Sequence, residues 1–403
     1  MAKQAIPLSI GRGLDRATGL GATQPQFPVD TRNVYGKDAK MSVRPGLAGS
    51  GYPDLTWGTD LLEIIGMKAT HDVLLVVFDR VSLQLRVYRL DPSTGLVQTL
   101  AALGLWGTLN ANADFPVVSY DEADGRVCLA HAEDTYALRL PTVYYTPDFT
   151  TPSNVGTLTT LTADLDGSGV AQNVYFRAVR THLEYMTGAG FGSNTEPDRG
   201  DVLRFSKPAD PTTWIPSGFV LFGVRKEPIV AMRPVSGVLA VAKENETWIM
   251  DGAVGSAFTP RRIDANYGVV SARGMLTAGG KVFAWAKDGP RQVTTTETVP
   301  IGQPMELTSP LPTDLPTRGP ARLMFTVYDI YRYLAEWVWP DIEAAAAPVT
   351  SFALSLWNPE DPRWTFFTRE QPVTCAGLLY GTDLGGVVAP PEGYVFDVLA
   401  VDV

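Results

Sequence analysis

The sequence predicts an all-β fold: a β-propeller of six or seven blades behind an extended N-terminal arm. Three observations carry the prediction. The apolar runs of the 403-residue chain are mostly four to seven residues long, too short for stable helices and suited to strands. Turn residues close them, and the 38 Gly and 31 Pro are spread along the chain, which signals many turns and not a disordered tract. Sets of three or four runs recur every ~40–55 residues over ~340 residues, a spacing that suggests radial repetition. Two stacked sandwiches are the competing architecture, but no composition break marks the mid-chain boundary they would need. No WD or kelch signature marks the blade borders.

The arm spans residues 1–58 and the propeller 59–403. Within the arm, residues 6–10 read as one strand. The rest is Gly, Pro and polar residues, with apolar members (Leu20, Phe27, Val34, Tyr35) too scattered to build a core. Such a segment is expected to lie extended on the main body or on a neighbouring subunit, where association supplies the burial it lacks alone.

Strand signals begin at Leu61. Residues 72–78 are of the fully buried type, and 83–89 alternate with period two, as a half-buried strand does. Strands at 117–120 and 126–131 flank an Asp124-Gly125 turn, and 135–140 follows. Residues 141–171 are rich in Thr, Pro and Gly and read as an insertion. Further strands are expected at 174–180, 182–186 and 202–206. Residues 229–294 carry the clearest meanders, closed by Ser236-Gly237, Asp251-Gly252, Gly279-Gly280 and a turn ending at Gly289. Asp-Gly and Gly-Gly suit hairpins because a tight loop matched to strand twist needs positive φ. After a Pro-rich connection at 300–320, strands are expected at 322–328, 332–339, 351–357, 363–368, 373–380, 385–388 and 394–399. The nearest approach to a helix is 342–347, closed by Pro348.

Composition narrows the function classes. A formal net charge of -10 argues against nucleic-acid binding by a general basic surface, since phosphate neutralisation needs clustered Lys and Arg. An acidic surface does not exclude a protein past which DNA merely travels. Cys128 and Cys375 each sit among apolar neighbours and read as two buried thiols, with no disulfide framework. Lys3 is followed by no apolar h-region, so no signal peptide is expected. No apolar run approaches the ~20 residues of a membrane span. Synthesis in a reducing cytoplasm follows.

No constellation reads as catalytic, and neither a cofactor nor a metal is expected. His71, His131 and His182 stand apart from one another and from Cys at ligand spacing, so they read as partly buried strand residues. Asp164, Asp166, Gly167, Ser168 and Gly169 resemble the opening of a calcium loop. Its twelfth position is Tyr175 where a Glu is needed, so a surface turn with Asx hydrogen bonds is the better account. Ser206, Asp210 and Trp214 resemble a sialidase-type Asp-box, but the Ser-to-Asp gap is too long and its Gly is missing. Gly11, Gly13, Gly19, Gly21, Gly188 and Gly190 do not sit between a strand and a helix, as phosphate loops do. The nine Trp, among them Trp248, Trp285, Trp337, Trp339, Trp357 and Trp364, fall mostly within strands and suit core or inter-blade packing better than sugar stacking.

Two stretches together point to a family. Asp30, Arg32, Asn33, Val34, Tyr35 and Gly36, followed by Ser42, Val43, Arg44, Pro45 and Gly46, resemble the N-terminal motif of tail nozzle and tail-hub propeller proteins of short-tailed bacteriophages. There an acidic-x-Arg-Asn segment precedes an Arg-Pro-Gly turn. Residues 201–206 with Asp210, Pro211 and Trp214 are similar to that family's strand-Ser-x-x-x-Asp-Pro-x-x-aromatic segment, and 237–252 and 274–293 follow its order of blades. The resemblance covers residues 5–300 in segment order.

The resemblance implies a virion structural protein, made in the bacterial host cytoplasm and assembled as a homo-oligomeric ring in the tail or neck. It implies contacts with an adaptor or tube protein above and tail fibres at the side, with DNA only as passing cargo. Ring interfaces are heterologous and must close by rotation. Arg32, Asn33, Arg44, Pro45 and Gly46 are the candidate interface residues, the two arginines offering fork-shaped donors to carboxylates or carbonyls. Capping of a local turn is the plainer account of the same residues. The alternative function is a receptor- or glycan-binding propeller of a fibre or spike, with exposed Trp or Tyr as stacking platforms. A hydrolase propeller is the third.

Overall fold

The computed structural model describes residues 34–37, 40–43, 62–69, 73–79, 81–90, 97–98, 104–111, 115–133, 135–148, 156–193, 199–223, 227–252, 257–301, 318–329, 333–338, 349–356, 363–369, 375–379 and 394–398. The fold is all-β. A hairpin comes first, β1 (Val34–Lys37) against β2 (Lys40–Val43), with Val34 opposite Val43. In the first large sheet β3 (Leu62–Ala69), β4 (Val73–Asp79) and β5 (Gln84–Leu90) run antiparallel in series, and β6 (Val97–Gln98) and β7 (Leu105–Thr108) both pair with β5. The second sheet is β8 (Val118–Ala123), β9 (Arg126–His131), β10 (Val143–Thr146) and β11 (Thr157–Thr160). A short hairpin of β12 (Thr162–Ala163) and β13 (Gln172–Asn173) follows it.

The third sheet is β14 (Ala178–His182), β15 (Tyr185–Phe191), β16 (Arg199–Lys207) and β17 (Asp210–Leu221). The fourth is β18 (Ala231–Val235), β19 (Val238–Ala242), β20 (Thr247–Asp251) and β21 (Thr259–Asp264). The fifth is β22 (Met275–Ala278), β23 (Lys281–Ala286), β24 (Gly289–Val293) and β25 (Thr298–Pro300). One six-residue helix, α1 (Arg318–Leu323), leads into the sixth sheet of β26 (Phe325–Asp329), β27 (Leu334–Val338), β28 (Val349–Ser355) and β29 (Arg363–Arg369). A last pair, β30 (Cys375–Leu379) and β31 (Tyr394–Val398), closes the order.

The second to sixth sheets are up-and-down meanders, as are the first three strands of the first sheet, and the sheets follow one another through their first strands. β3 lies beside β8, β8 beside β14, β14 beside β18, β18 beside β22 and β22 beside β26; β26 lies beside β30, and β30 beside β3. Successive meanders arranged this way are the propeller type of architecture. The β1–β2 hairpin sits against β29, on the outer side of the sixth sheet.

The cores lie between sheets, not within one. Val127 and Leu129 of β9 join the apolar cluster shared with the first sheet, while Cys128 and Ala130 join the cluster shared with the third. In β19, Leu239 and Val241 face the third sheet's cluster and Ala240 and Ala242 the fifth sheet's. In β23, Val282 and Ala284 face back to the fourth sheet, Phe283 and Trp285 forward to the sixth. Side chains alternate across a strand, so a strand buried on both faces needs apolar residues at consecutive positions. That is why Val238–Ala242 reads as an unbroken apolar run. A stacked-sandwich arrangement would leave one face of each sheet to solvent.

Several local expectations are corrected. Residues 135–140 alternate like a strand, yet Tyr136–Leu138 form a 3-10 turn. The Tyr136 ring is packed on Gly192, where an added Cβ would meet it at 2.1 Å, and stands edge-on to Tyr175 at 5.2 Å. Tertiary packing overrides the local pattern there. The strand expected at 182–186 is instead the β14–β15 turn, with Leu183 at φ +53. The strand expected at 322–328 is divided by the end of α1. The polar span after residue 252 supplies β21, an outer edge strand with no apolar period to betray it. Residues 141–171, read as an insertion, supply β10 and β11, the outer half of the second sheet; Thr is well suited to an exposed strand. The helical candidate at 342–347 lies outside the described residues. No helix among those described is long and apolar enough to cross a membrane.

Candidate functional site

An antiparallel meander divides its loops between two ends. Turns joining first to second strands collect at one end of the sheets; those joining second to third, and one sheet to the next, collect at the other. The first set is tight: Asp124-Gly125, Leu183-Glu184, Ser236-Gly237 and Gly279-Gly280. Both residues of Asp124-Gly125 and of Ser236-Gly237 have positive φ, as a two-residue hairpin turn matched to strand twist requires. The second set includes the long connections 132–142, 222–230, 265–274 and 301–324, beside the two-residue turn at 287–288. Loop-bearing faces on rigid scaffolds are where function concentrates, and a group of buried charged residues is there, while Arg204, Arg291 and Glu336 are buried within strands.

His131 ends β9 and is wholly buried, and Glu133 two residues on is 2% exposed. The Leu140 N–H donates to His131 Nδ1 at 3.2 Å, so the ring proton of the neutral imidazole is on Nε2. Burial, then the nearby Arg322 and Arg139 guanidinium groups, push the His131 pKa down to about 3. The ring is therefore neutral throughout the physiological range and performs no acid–base work there.

The arginines are spent on main-chain carbonyls, most of them belonging to other sheets. Arg139 donates to Glu133 O at 2.6 Å and to Gly190 O of β15. Arg322 donates to Phe115 O just ahead of β8. Arg273, ahead of β22, donates to Leu323 O at 3.2 Å and stacks on the Phe325 ring at 5.5 Å. Ser271 Oγ lies 2.9 Å from Arg322 O and 2.6 Å from Met324 O.

A second charged group sits at the same end, where β19 stops. The Lys243 side chain is fully buried, with Nζ 3.8 Å from Glu246 Oε2. Burial pulls its pKa down, against the opposing pull of Glu246, Glu227 and Asp201. Glu246 also accepts from Trp248 Nε1 at 3.0 Å and pairs with Arg262 at 3.0 Å, so its carboxylate is tied on three sides. Gly223 leaves the room: an added Cβ would stand 3.2 Å from Lys243 Nζ and 3.1 Å from the Trp248 ring.

The remaining sequence candidates resolve into structure of other kinds. Arg32, Asn33, Arg44, Pro45 and Gly46 lie outside the described residues; in sequence they flank the β1–β2 hairpin. His71, Trp339 and Trp357 lie outside them as well. His182, 2% exposed at the end of β14, packs beside Phe258 at 5.9 Å. Asp164 and Asp166 accept the Gly169 and Ser168 N–H groups at 2.9 and 3.0 Å, an Asx-bonded surface turn. Ser206 Oγ accepts the Met186 N–H at 3.1 Å, and the buried Trp214 donates to Pro211 O at 3.0 Å. Asp210 is bound by Thr213 and Thr212, which hold its carboxyl below the usual range. The segment that resembles an Asp-box is thus the β16–β17 corner. Cys128 is a buried free thiol, its pKa raised to about 12 by burial and by Asp121.

Trp285, Trp337 and Trp364 pack together between the fifth and sixth sheets. Trp106 and Trp214 are buried too, and Trp248 is half-buried beneath Arg262. The sequence reading missed Glu133, Arg139, Lys243, Arg273 and Arg322. Their only signal is a charge directly beside a strand end, which does not distinguish a solvated residue from a buried one. Among the described residues no three His, Cys, Asp or Glu side chains converge as a metal site would need.

No family model matches the chain, and no curated protein matches it. Solved structures do. One is Hsv2 of Kluyvelomyces marxianus, with TM-score 0.39 at 10% identity over 74% of this chain and 80% of that one. Another is a puromycin hydrolase mutant in complex with PGG, with TM-score 0.43 at 12% identity over 78% of this chain and 48% of that one. The extracellular domain of a hybrid two-component system from B. thetaiotaomicron gives TM-score 0.32 at 11% identity, over 75% of this chain and 45% of that one. The chain thus spans about half the length of the latter two chains. At such low scores the likenesses say nothing of activity.

Proposed function

We propose that the chain is a non-enzymatic structural subunit of a bacteriophage tail or neck. It is a seven-bladed propeller, its seventh blade built on β30 and β31, that assembles with further copies into a ring-shaped conduit for DNA. Adaptor or tube proteins and tail fibres dock on that ring. The observation that carries the reading is how the polar groups are used: they lace one blade to the next. Ser119 Oγ in β8 accepts from Val179 N at 3.1 Å, and Asp121 accepts from Thr181 N at 2.8 Å. Thr277 in β22 donates to Pro234 O at 3.1 Å, and Thr326 in β26 to Arg273 O at 2.9 Å. These bonds span adjacent first strands, so they stiffen the disc against blade-to-blade slip. A scaffold that transmits load between docked partners needs that stiffness.

The net charge of -10 supports passage of DNA without capture. The Arg32–Asn33 and Arg44–Pro45–Gly46 motif supports the family assignment. The glycan-binding alternative is less well supported, because Trp106, Trp214, Trp285, Trp337 and Trp364 are enclosed and offer no stacking platform.

Negative-stain imaging of the purified chain, with antibody labelling of virions, tests the proposal. Ring-shaped particles and label at the tail are expected; monodisperse single subunits at every concentration, with unlabelled tails, would sink it. The double substitution Arg32→Ala with Arg44→Ala is expected to weaken ring assembly at least tenfold, a loss of ~1.4 kcal/mol or more. Its thermal unfolding as a monomer should be unchanged.

A further inference from the structure

The loops at the charged end do more than cover it. Val117, entering β8, and Ala132, leaving β9, belong to the second sheet; Ala272 precedes β22 of the fifth and Leu323 precedes β26 of the sixth. These four form one apolar cluster, with exposures of 1, 2, 7 and 2% in that order, and Phe115 packs against it. In the order of first strands, β8 and β22 are separated by β14 and β18 on one side and by β3, β30 and β26 on the other. Residues entering such distant strands meet only by crossing the middle.

Polar ties hold the crossing in place. Arg322 reaches Phe115 O, the Phe115 ring stands edge-on to Phe78 of the first sheet at 5.6 Å, and Arg273 and Ser271 fasten the Leu323 and Met324 carbonyls. First, second, fifth and sixth sheets are thereby joined at one point.

We infer that the axis of the single propeller is closed at this face by a strap, residues 271–274 and 318–324 laid across it onto 115–117 and 132. In the ring proposed above, the passage therefore lies between subunits and not down the axis of any one of them. This second half rests on that proposal; the closed axis does not. The apolar seam offers a translocating polyanion no exchange for its hydration, and opening it would expose Leu323 and break the Arg322 bond to a carbonyl. Any ligand approaching from this side meets the strap and not an axial funnel.

Amide hydrogen exchange on the full-length chain tests the strap. Amides at 271–274 and 321–324 are expected to be protected to the degree of the β19 amides at 239–242. Arg322→Ala should speed exchange at 321–324 about tenfold or more, as loss of a charged hydrogen bond does, and leave 239–242 unchanged. Arg322→Lys, which keeps the charge but not the fork, serves the same test should the alanine variant not fold. Wild-type amides at 321–324 exchanging as fast as an exposed loop would overturn the inference. Imaging of the same sample separates the two claims: protection without rings leaves the closed axis standing and removes the conduit, and rings with an unprotected strap do the reverse.

Discussion

Single residues show how closely the sheets approach. At Gly268 an added Cβ would lie 1.9 Å from the Lys243 carbonyl oxygen, which accepts the Val269 N–H at 2.8 Å and so has no freedom to withdraw. Gly268→Ala is expected to cost about 3 kcal/mol, read as a lower urea midpoint. His131 sets a pH dependence. Its pKa is about 3 in the fold, against an unfolded value of 6.5. Between those values the unfolded chain binds the extra proton. Stability is therefore full above about pH 6.5 and falls as pH drops toward 3, with a limiting slope of about 1.4 kcal/mol per pH unit. Burial pulls His182 the same way. Thermal melts between pH 7 and 4 should show a shallower decline for His131→Gln than for the wild type. Neither effect is legible in the sequence, where Gly268 follows an ordinary Asn-Tyr pair and His131 ends an ordinary strand.

At the scale of elements, the strands buried on both faces were legible; outer strands such as β10, β11 and β21, and the strand ends, were not. Runs such as 126–131 and 238–242 announce themselves because burial on both faces demands apolar residues in succession. The 182–186 turn hid because Leu183 occupies positive φ without the Gly or Asn that usually marks it. Ala209 is a similar case, following Pro208 in the β16–β17 turn with φ +55 and exposed to solvent. Ala209→Asn should stabilise the protein by about 0.5 kcal/mol, a small rise in melting temperature. Trp337 carries the junction of the fifth and sixth sheets, with ring centroids of Trp285 and Trp364 at 5.9 and 5.5 Å and Nε1 3.3 Å from Gly274 O. Trp337→Ala is expected to lose about 3–5 kcal/mol, measured by denaturant unfolding. Intrinsic fluorescence should show the fifth and sixth sheets loosening together.

The whole molecule depends on returning to its starting point. β30 lies between β26 and β3, so the last hairpin joins the end of the chain to its first large sheet. Deletion of residues 370–403 is expected to expose both flanking strands. It should convert cooperative urea unfolding into a broad, multiphasic transition with association on a sizing column. A deletion variant unfolding in one sharp step at the wild-type midpoint would refute that role for the hairpin. The strap across the axis acts at the same scale, tying the second sheet to the fifth and sixth without passing through their neighbours.

The sequence by itself determined the class: short apolar runs, tight Gly-bearing turns and recurrent meanders leave no other way to bury 45% hydrophobic residues. It also determined which strands are buried on both faces, because side-chain alternation writes that burial directly into consecutive positions. Only the tertiary structure decided which charges go inside. Arg139, Arg273, Arg322 and Lys243 look like solvated loop residues until the sheets bring carbonyls or carboxylates to them. Gly190, Leu323 and Phe115, the distant partners of the three arginines, lie about 50 to 200 positions away, and local composition carries no record of such distances. Glu246 is three residues from Lys243, but nothing in the sequence says that the pair is enclosed.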